Sequence, residues 1–153
     1  MRFDEDETPL HSAVITGSVE IVQILLDRFA ELNSQDIEGK TPLHYACMVG
    51  NLAVTNLLTK RQDIIVNMQD DEGNTPLHNA CLSLNDQIIT VLLEKCNADV
   101  NIRNNQGKIP KDVLATKAKQ AGQLPKYQPF IDALSGGLLL SNSGPPDEES
   151  KEE

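Results

Sequence analysis

Three groups of residues in this chain have side chains that can ligate or react. They are the histidines His11, His44 and His78, the cysteines Cys47, Cys81 and Cys96, and the acidic run Asp70-Asp71-Glu72. Three histidines invite a zinc site or a general base. Cysteines offer a nucleophile or a disulfide, and a carboxylate run offers a cation cradle. Spacing decides among these. Each histidine ends a Thr-Pro-Leu-His tetrapeptide: Thr8 to His11, Thr41 to His44 and Thr75 to His78. A degraded copy follows at Ile109-Pro110-Lys111-Asp112. The prolines stand 33, 34 and 34 residues apart, so each histidine belongs to its own copy of a repeated unit.

The elements that must position these residues follow from the same copies. Thr before Pro starts a helix: the hydroxyl caps a backbone N–H, and Pro occupies a position whose donor has no partner anyway. The spacing predicts a short first helix, for example Pro42 to Val49, ended by Gly17 and Gly50 in the first two copies. A second helix carries an apolar stripe: Ile21, Ile24 and Leu25, then Val54, Leu57 and Leu58, then Ile88, Val91 and Leu92. Ala13, Ala46 and Ala80 share one position, where a small residue lets helices approach. Between units, Asp36 to Gly39, Asp70 to Gly73 and Asn104 to Gly107 put Asp or Asn first and Gly fourth, as in a type I turn.

Stacked units lie about 8–10 Å apart, whereas zinc holds its nitrogens at about 2.0–2.1 Å. The three histidines therefore cannot share a metal, and a hydrogen-bonding role near the turns is expected. Cys47 and Cys81 share a repeat position too, and the spacing exceeds the roughly 7 Å limit for a disulfide. They read as buried small apolar residues, with Cys96 at a helix end as the thiol to test. The acids 70–72 lack the spaced oxygen ligands of a calcium loop and read as a solvated turn. No nucleophile elbow, phosphate loop or HExxH pattern is present. An enzyme is not expected, nor is a cofactor or metal.

Composition narrows the class further. Aromatics make up 3% and Trp is absent, so the core must be aliphatic. The net charge is −10; residues 2–7 contribute −3 and residues 147–153 contribute −4, leaving the middle mildly acidic. With no basic stripe, direct nucleic-acid binding is not expected. No apolar run approaches a membrane span, no leader pattern follows Met1, and the three cysteines form no CxxC pair. These point to a reducing, cytoplasmic setting, with the nucleus as the alternative.

The tetrapeptides, the 33-residue period and the Asp-x-x-Gly turns resemble ankyrin repeats over roughly residues 4–134. The expected fold class is all-α: a solenoid of about four helix–turn–helix repeats joined by β-hairpin-like turns, with repeats near 4–36, 37–70, 71–104 and 105–134. Residues 135–153 read as a disordered acidic tail, with Leu138-Leu-Leu140 as a flap or docking peptide. Some positions depart from the pattern. Phe29 stands where the family usually has Gly, and Asn97 substitutes there in repeat three. Extra residues predict small bulges at 62–64 and 96–97. Leu84 replaces the inter-helix Gly, so the turn is expected to bend at Asn85. Repeat four is polar, as a terminal cap should be, with its second helix restarting near Gln128 or Pro129 after a long polar stretch to Tyr127. Repeat one is as apolar as an internal repeat, which predicts that the chain is a fragment of a longer array or, alternatively, that this face docks on a partner; a monomer or such a fragment is expected.

By resemblance, function is the holding of another protein by a scaffold or adaptor module. The surface implied comprises the hairpin tips Ile37, Glu38, Lys40, Asp71, Glu72, Asn74, Asn105 and Gln106, and the helix face Ile15, Tyr45, Met48, Asn79 and Leu82. The alternative is an inhibitor resembling those of NF-kappaB transcription factors, using the repeats and the acidic tail. Leu93 with Asp99-Val100-Asn101, and Leu25 with Glu31-Leu32-Asn33, resemble the pattern of the asparaginyl hydroxylase that modifies ankyrin repeats; these Asn are read first as structural bridges. Ser150, with Glu153 three residues on, suits an acid-directed kinase.

Overall fold

The computed structural model describes residues 7–136. Expectations for residues 4–6, for Leu138-Leu-Leu140, for Ser150 and for nearly all of the tail lie outside the described residues. Eight helices occur among those described, and no strand: α1 (Pro9–Thr16), α2 (Val19–Asp27), α3 (Pro42–Val49), α4 (Leu52–Thr59), α5 (Pro76–Leu82), α6 (Asp86–Glu94), α7 (Pro110–Gln120) and α8 (Leu124–Leu134). The odd-numbered helices pack side by side in one layer and the even-numbered helices in a second.

Capping explains where the helices begin. Thr8, Thr41 and Thr75 are extended, and each hydroxyl accepts the N–H of the histidine three residues on. Second helices start on Ser18, Asn51 and Asn85, whose side chains accept from Ile21, Val54 and Ile88 N–H. Each cap satisfies one of the four donors that a helix start leaves unpaired.

The linking segments form fingers. Asp36 N–H donates to the Lys40 carbonyl, Gly39 N–H returns to the Asp36 carbonyl, and the Asp36 carboxylate accepts from Glu38 and Lys40 N–H. Successive fingers are tied by Asp71 N–H to the Glu38 carbonyl and Asn105 N–H to the Glu72 carbonyl, each at 2.9 Å. Gly39 permits this stacking: at φ +78°, a Cβ would lie 2.9 Å from the Asp71 backbone nitrogen.

The core lies between the layers. Leu10, Leu43 and Leu77 are buried, as are Ala13, Ala46 and Ala80 at the close-approach position. The stripe of the first repeat differs from the reading. Val54 and Ile88 are fully buried, but Ile21, at the equivalent position, is 51% exposed and Ile24 is 53% exposed. The buried side chains of α2 are Val22 and Leu26. Helix α4 packs between α2 and α6, whereas among the described residues α2 has a neighbour in its layer on one side, α4.

Three further readings are corrected. Leu84 itself takes the left-handed conformation (φ +54°), because Asn85 must stay extended to cap α6. Asn97 is left-handed, as its substitution for Gly implies, and so is Phe29, which is 94% exposed. Helix α8 begins at Leu124 rather than near Gln128. Pro125 lies in the first turn, where it is tolerated, and Pro129 sits within the helix. Tyr127 belongs to no polar loop: it is buried, with its hydroxyl donating to the Leu84 carbonyl at 2.6 Å. With Phe130, Ile131 and Leu134 it forms a helical stripe that seals the last repeat.

Candidate protein-interaction surface

The histidines are joints between repeats. Thr41 N–H donates to His44 Nδ1 at 3.0 Å, so that nitrogen carries no proton. Nε2 then carries it and donates to the Asn74 carbonyl at 2.9 Å. His11 makes the same bonds to Thr8 and to the Lys40 carbonyl, and His78 to Thr75 and the Lys108 carbonyl. Both nitrogens of every ring are engaged, which leaves none for a metal or a proton relay. Among the described residues, no group of His, Cys, Asp or Glu comes together to hold a metal ion.

Burial lowers the pKa of His44 and His78 from the usual 6.5, and the bonds to the Asn74 and Lys108 carbonyls only partly offset it. Below pH 6.5 the unfolded chain therefore binds more protons at these sites than the folded one. Their stabilisation is complete above that pH and is lost as pH falls through 6.5 toward the lower folded values. The loss is at most about 1.4 kcal/mol per pH unit for each histidine. The urea midpoint should be flat from about pH 8 to 7 and fall below about 6.5. A midpoint unchanged down to pH 5.5 would contradict this.

The cysteines are not activated. Cys47 and Cys81 are fully buried, and burial raises their thiol pKa values. Cys96 is half-buried and also raised by burial, with Thr59 and Lys95 pulling the other way. Among the acids, Asp70 is buried with its Oδ1 accepting from Glu72 and Asn74 N–H, while Asp71 and Glu72 are exposed. Asn33 bridges fingers, with Nδ2 donating to the Asp63 carbonyl and Oδ1 accepting Ile65 N–H. Asn101 is exposed.

The implied contact residues divide into two sets. Ile37, Glu38, Asp71, Glu72, Asn105 and Gln106 are exposed at the finger tips. On the helix side, Ile15, Met48 and Leu82 recur at one position of α1, α3 and α5 and are 41%, 43% and 40% exposed. Tyr45 is half-buried; its hydroxyl donates to Asp36, and burial and that carboxylate raise its pKa. Lys40, Asn74 and Asn79 are not surface residues. All three are buried, Lys40 and Asn74 because the next finger folds over them. Lys40 Nζ lies 3.2 Å from Asp70 Oδ2 and 3.4 Å from Glu38 Oε1. Burial disfavours the ammonium, but the two carboxylates outweigh this and raise its pKa. Asn74 Oδ1 accepts from Asn104 Nδ2 at 3.0 Å. Sequence reasoning missed the Lys40–Asp70 pair, although a lysine at a turn, 30 residues ahead of an acid that opens the next, is a legible signal.

Two layers of helices, stacked fingers and histidine joints at a 33–34-residue period define an ankyrin repeat solenoid. Family models for ankyrin repeats match residues 29–104 (three copies) and 2–54 (many copies). The chain belongs to the ankyrin repeat family, whose members are generally non-enzymatic modules that bind other proteins. The curated proteins searched contain no match to it. Among the described residues, no helix is long and apolar enough to cross a membrane.

Proposed function

We propose that this chain is an adaptor that holds another protein on the face between its fingers and its first helices, working in the cytoplasm or nucleus. The observation that carries this reading is the row Ile15, Met48 and Leu82, one per repeat, flanked by the exposed acids Glu38, Asp71 and Glu72. Apolar anchors supply binding energy on losing water, and flanking charges set partner choice and on-rate. Those acids favour a basic or mixed partner surface. The inhibitor alternative leans on the acidic tail, which lies outside the described residues, and no observation here favours it.

The test is affinity capture from lysate at low and high salt, with the wild-type chain and an Ile15→Ala/Met48→Ala/Leu82→Ala variant. All three side chains are substantially exposed, so the variant should fold. The expected result is a partner captured by wild type, weakened by salt, and lost at least tenfold in the variant, about 1.4 kcal/mol or more. A partner retained by the variant but lost on deleting 135–153 would move function to the tail.

A further inference from the structure

The interaction face contains a trough with a polarity of its own. A cavity of about 270 Å³ between α3 and α5 is lined by Met48, Asn79 and Leu82. A second, of about 420 Å³, lies between the third finger and α7 and is lined by Lys108 and Lys117. The two share Glu72, Asn74 and Leu82 in their walls, so they adjoin along one groove of this face. Asn79 is 3% exposed and its Nδ2 has no hydrogen-bond partner. A buried donor without a partner is costly, and the equivalent residues avoid that cost: Tyr45 donates to Asp36 and Ser12 to Glu7. Lys40 is neutralised by Asp70 and Glu38, but Lys108 and Lys117 make no ion pair among the described residues.

We propose that this groove binds an extended, acidic–aliphatic segment of a partner protein. An aliphatic side chain sits on Met48 and Leu82. A main-chain carbonyl accepts from Asn79 Nδ2, reached as the unbranched Met48 side chain swings aside. A carboxylate of the segment lies on Lys108 and Lys117. The binding direction is thus fixed, with the acidic end of the segment toward α7, where Lys108 and Lys117 outnumber Glu72, the one acid among the described residues that line that cavity. The proposal rests on the reading of this face as the partner surface.

Panning a phage-displayed library of random twelve-residue peptides on the full chain tests it, with enriched sequences resynthesised and measured by fluorescence anisotropy. Enriched peptides should share an acidic residue near an aliphatic one. Asn79→Leu should weaken binding at least tenfold while raising the thermal midpoint, because it removes a buried donor that lacks a partner. Lys108→Glu/Lys117→Glu changes only groove-rim lysines, should leave folding intact, and should also weaken binding at least tenfold and flatten its salt dependence. Peptides indifferent to both variants, a midpoint lowered by Asn79→Leu, or no enrichment at all would overturn the proposal. If that happens while the captured partner still depends on Ile15, Met48 and Leu82, the adaptor reading stands and only the groove assignment fails. If that dependence is also missing, both fail.

Discussion

Replacing Lys40 with methionine should cost about 3 kcal/mol, as expected when one partner of a buried ion pair is removed. Methionine keeps the stem but deletes the ammonium held by Asp70 and Glu38. Glu38 is exposed and water can take over there, but the Asp70 side chain is inaccessible to solvent. Its Oδ1 stays bonded to Glu72 and Asn74 N–H, so the carboxylate cannot turn outward. A charge would be left buried without its counter-charge. Adding Asp70→Asn to the same chain removes that charge while keeping the Oδ1 acceptor, and should restore at least about 1 kcal/mol. Urea unfolding of the two single variants and the double variant measures the coupling. Strictly additive losses would show that the pair contributes nothing beyond its separate residues.

His44→Ala is expected to be equally damaging, at about 3 kcal/mol, from two orphaned groups and a cavity. The Thr41 N–H loses its acceptor, the Asn74 carbonyl loses its donor, and both lie in buried surroundings. The second bond spans 30 residues and joins one repeat to the next, so its loss weakens an interface as well as a turn. His78→Ala should cost less, because Lys108 is exposed and water can reach the carbonyl that His78 would abandon. The ranking is checked by urea midpoints of the two variants at pH 8, where neither histidine is protonated. Equal losses would mean that burial of the joint does not set its worth.

Local chemistry was legible in the sequence because it acts within a few residues. A Thr that caps its third neighbour, a Pro at the first helical position and an Asp-x-x-Gly turn each declare themselves, and α3 spans Pro42–Val49 as the spacing implies. What was not legible depends on neighbours far along the chain. Ile21 and Val54 have the same place in the same periodic pattern, yet one is half-exposed and the other buried, since periodicity does not tell an outermost helix from an internal one. Lys40, Asn74 and Asn79 were read as contact residues from repeat position alone. Lys40 and Asn74 are covered by the next finger, through Asp70 and Asn104, and Asn79 is 3% exposed on α5; a polar side chain signals none of this. Leu84 shows two local rules in conflict: a leucine resists positive φ, but the Asn85 cap requires an extended residue, and the cap prevails. In repeat four the long polar stretch from Thr116 to Tyr127 suggests a late start, whereas the buried Tyr127–Phe130–Ile131–Leu134 stripe decides the helix.

The proposed place of the partner is the face carrying Ile15, Met48 and Leu82. A photo-crosslinking benzoylphenylalanine, installed at one position per chain before mixing with lysate, reports on it. The two positions are Leu82 on α5 and the exposed Gln87 on α6, in the opposite layer. Irradiation should give a discrete protein adduct from position 82 and none from position 87. Adducts from position 87 alone would overturn this placement and put the partner on the other side of the stack.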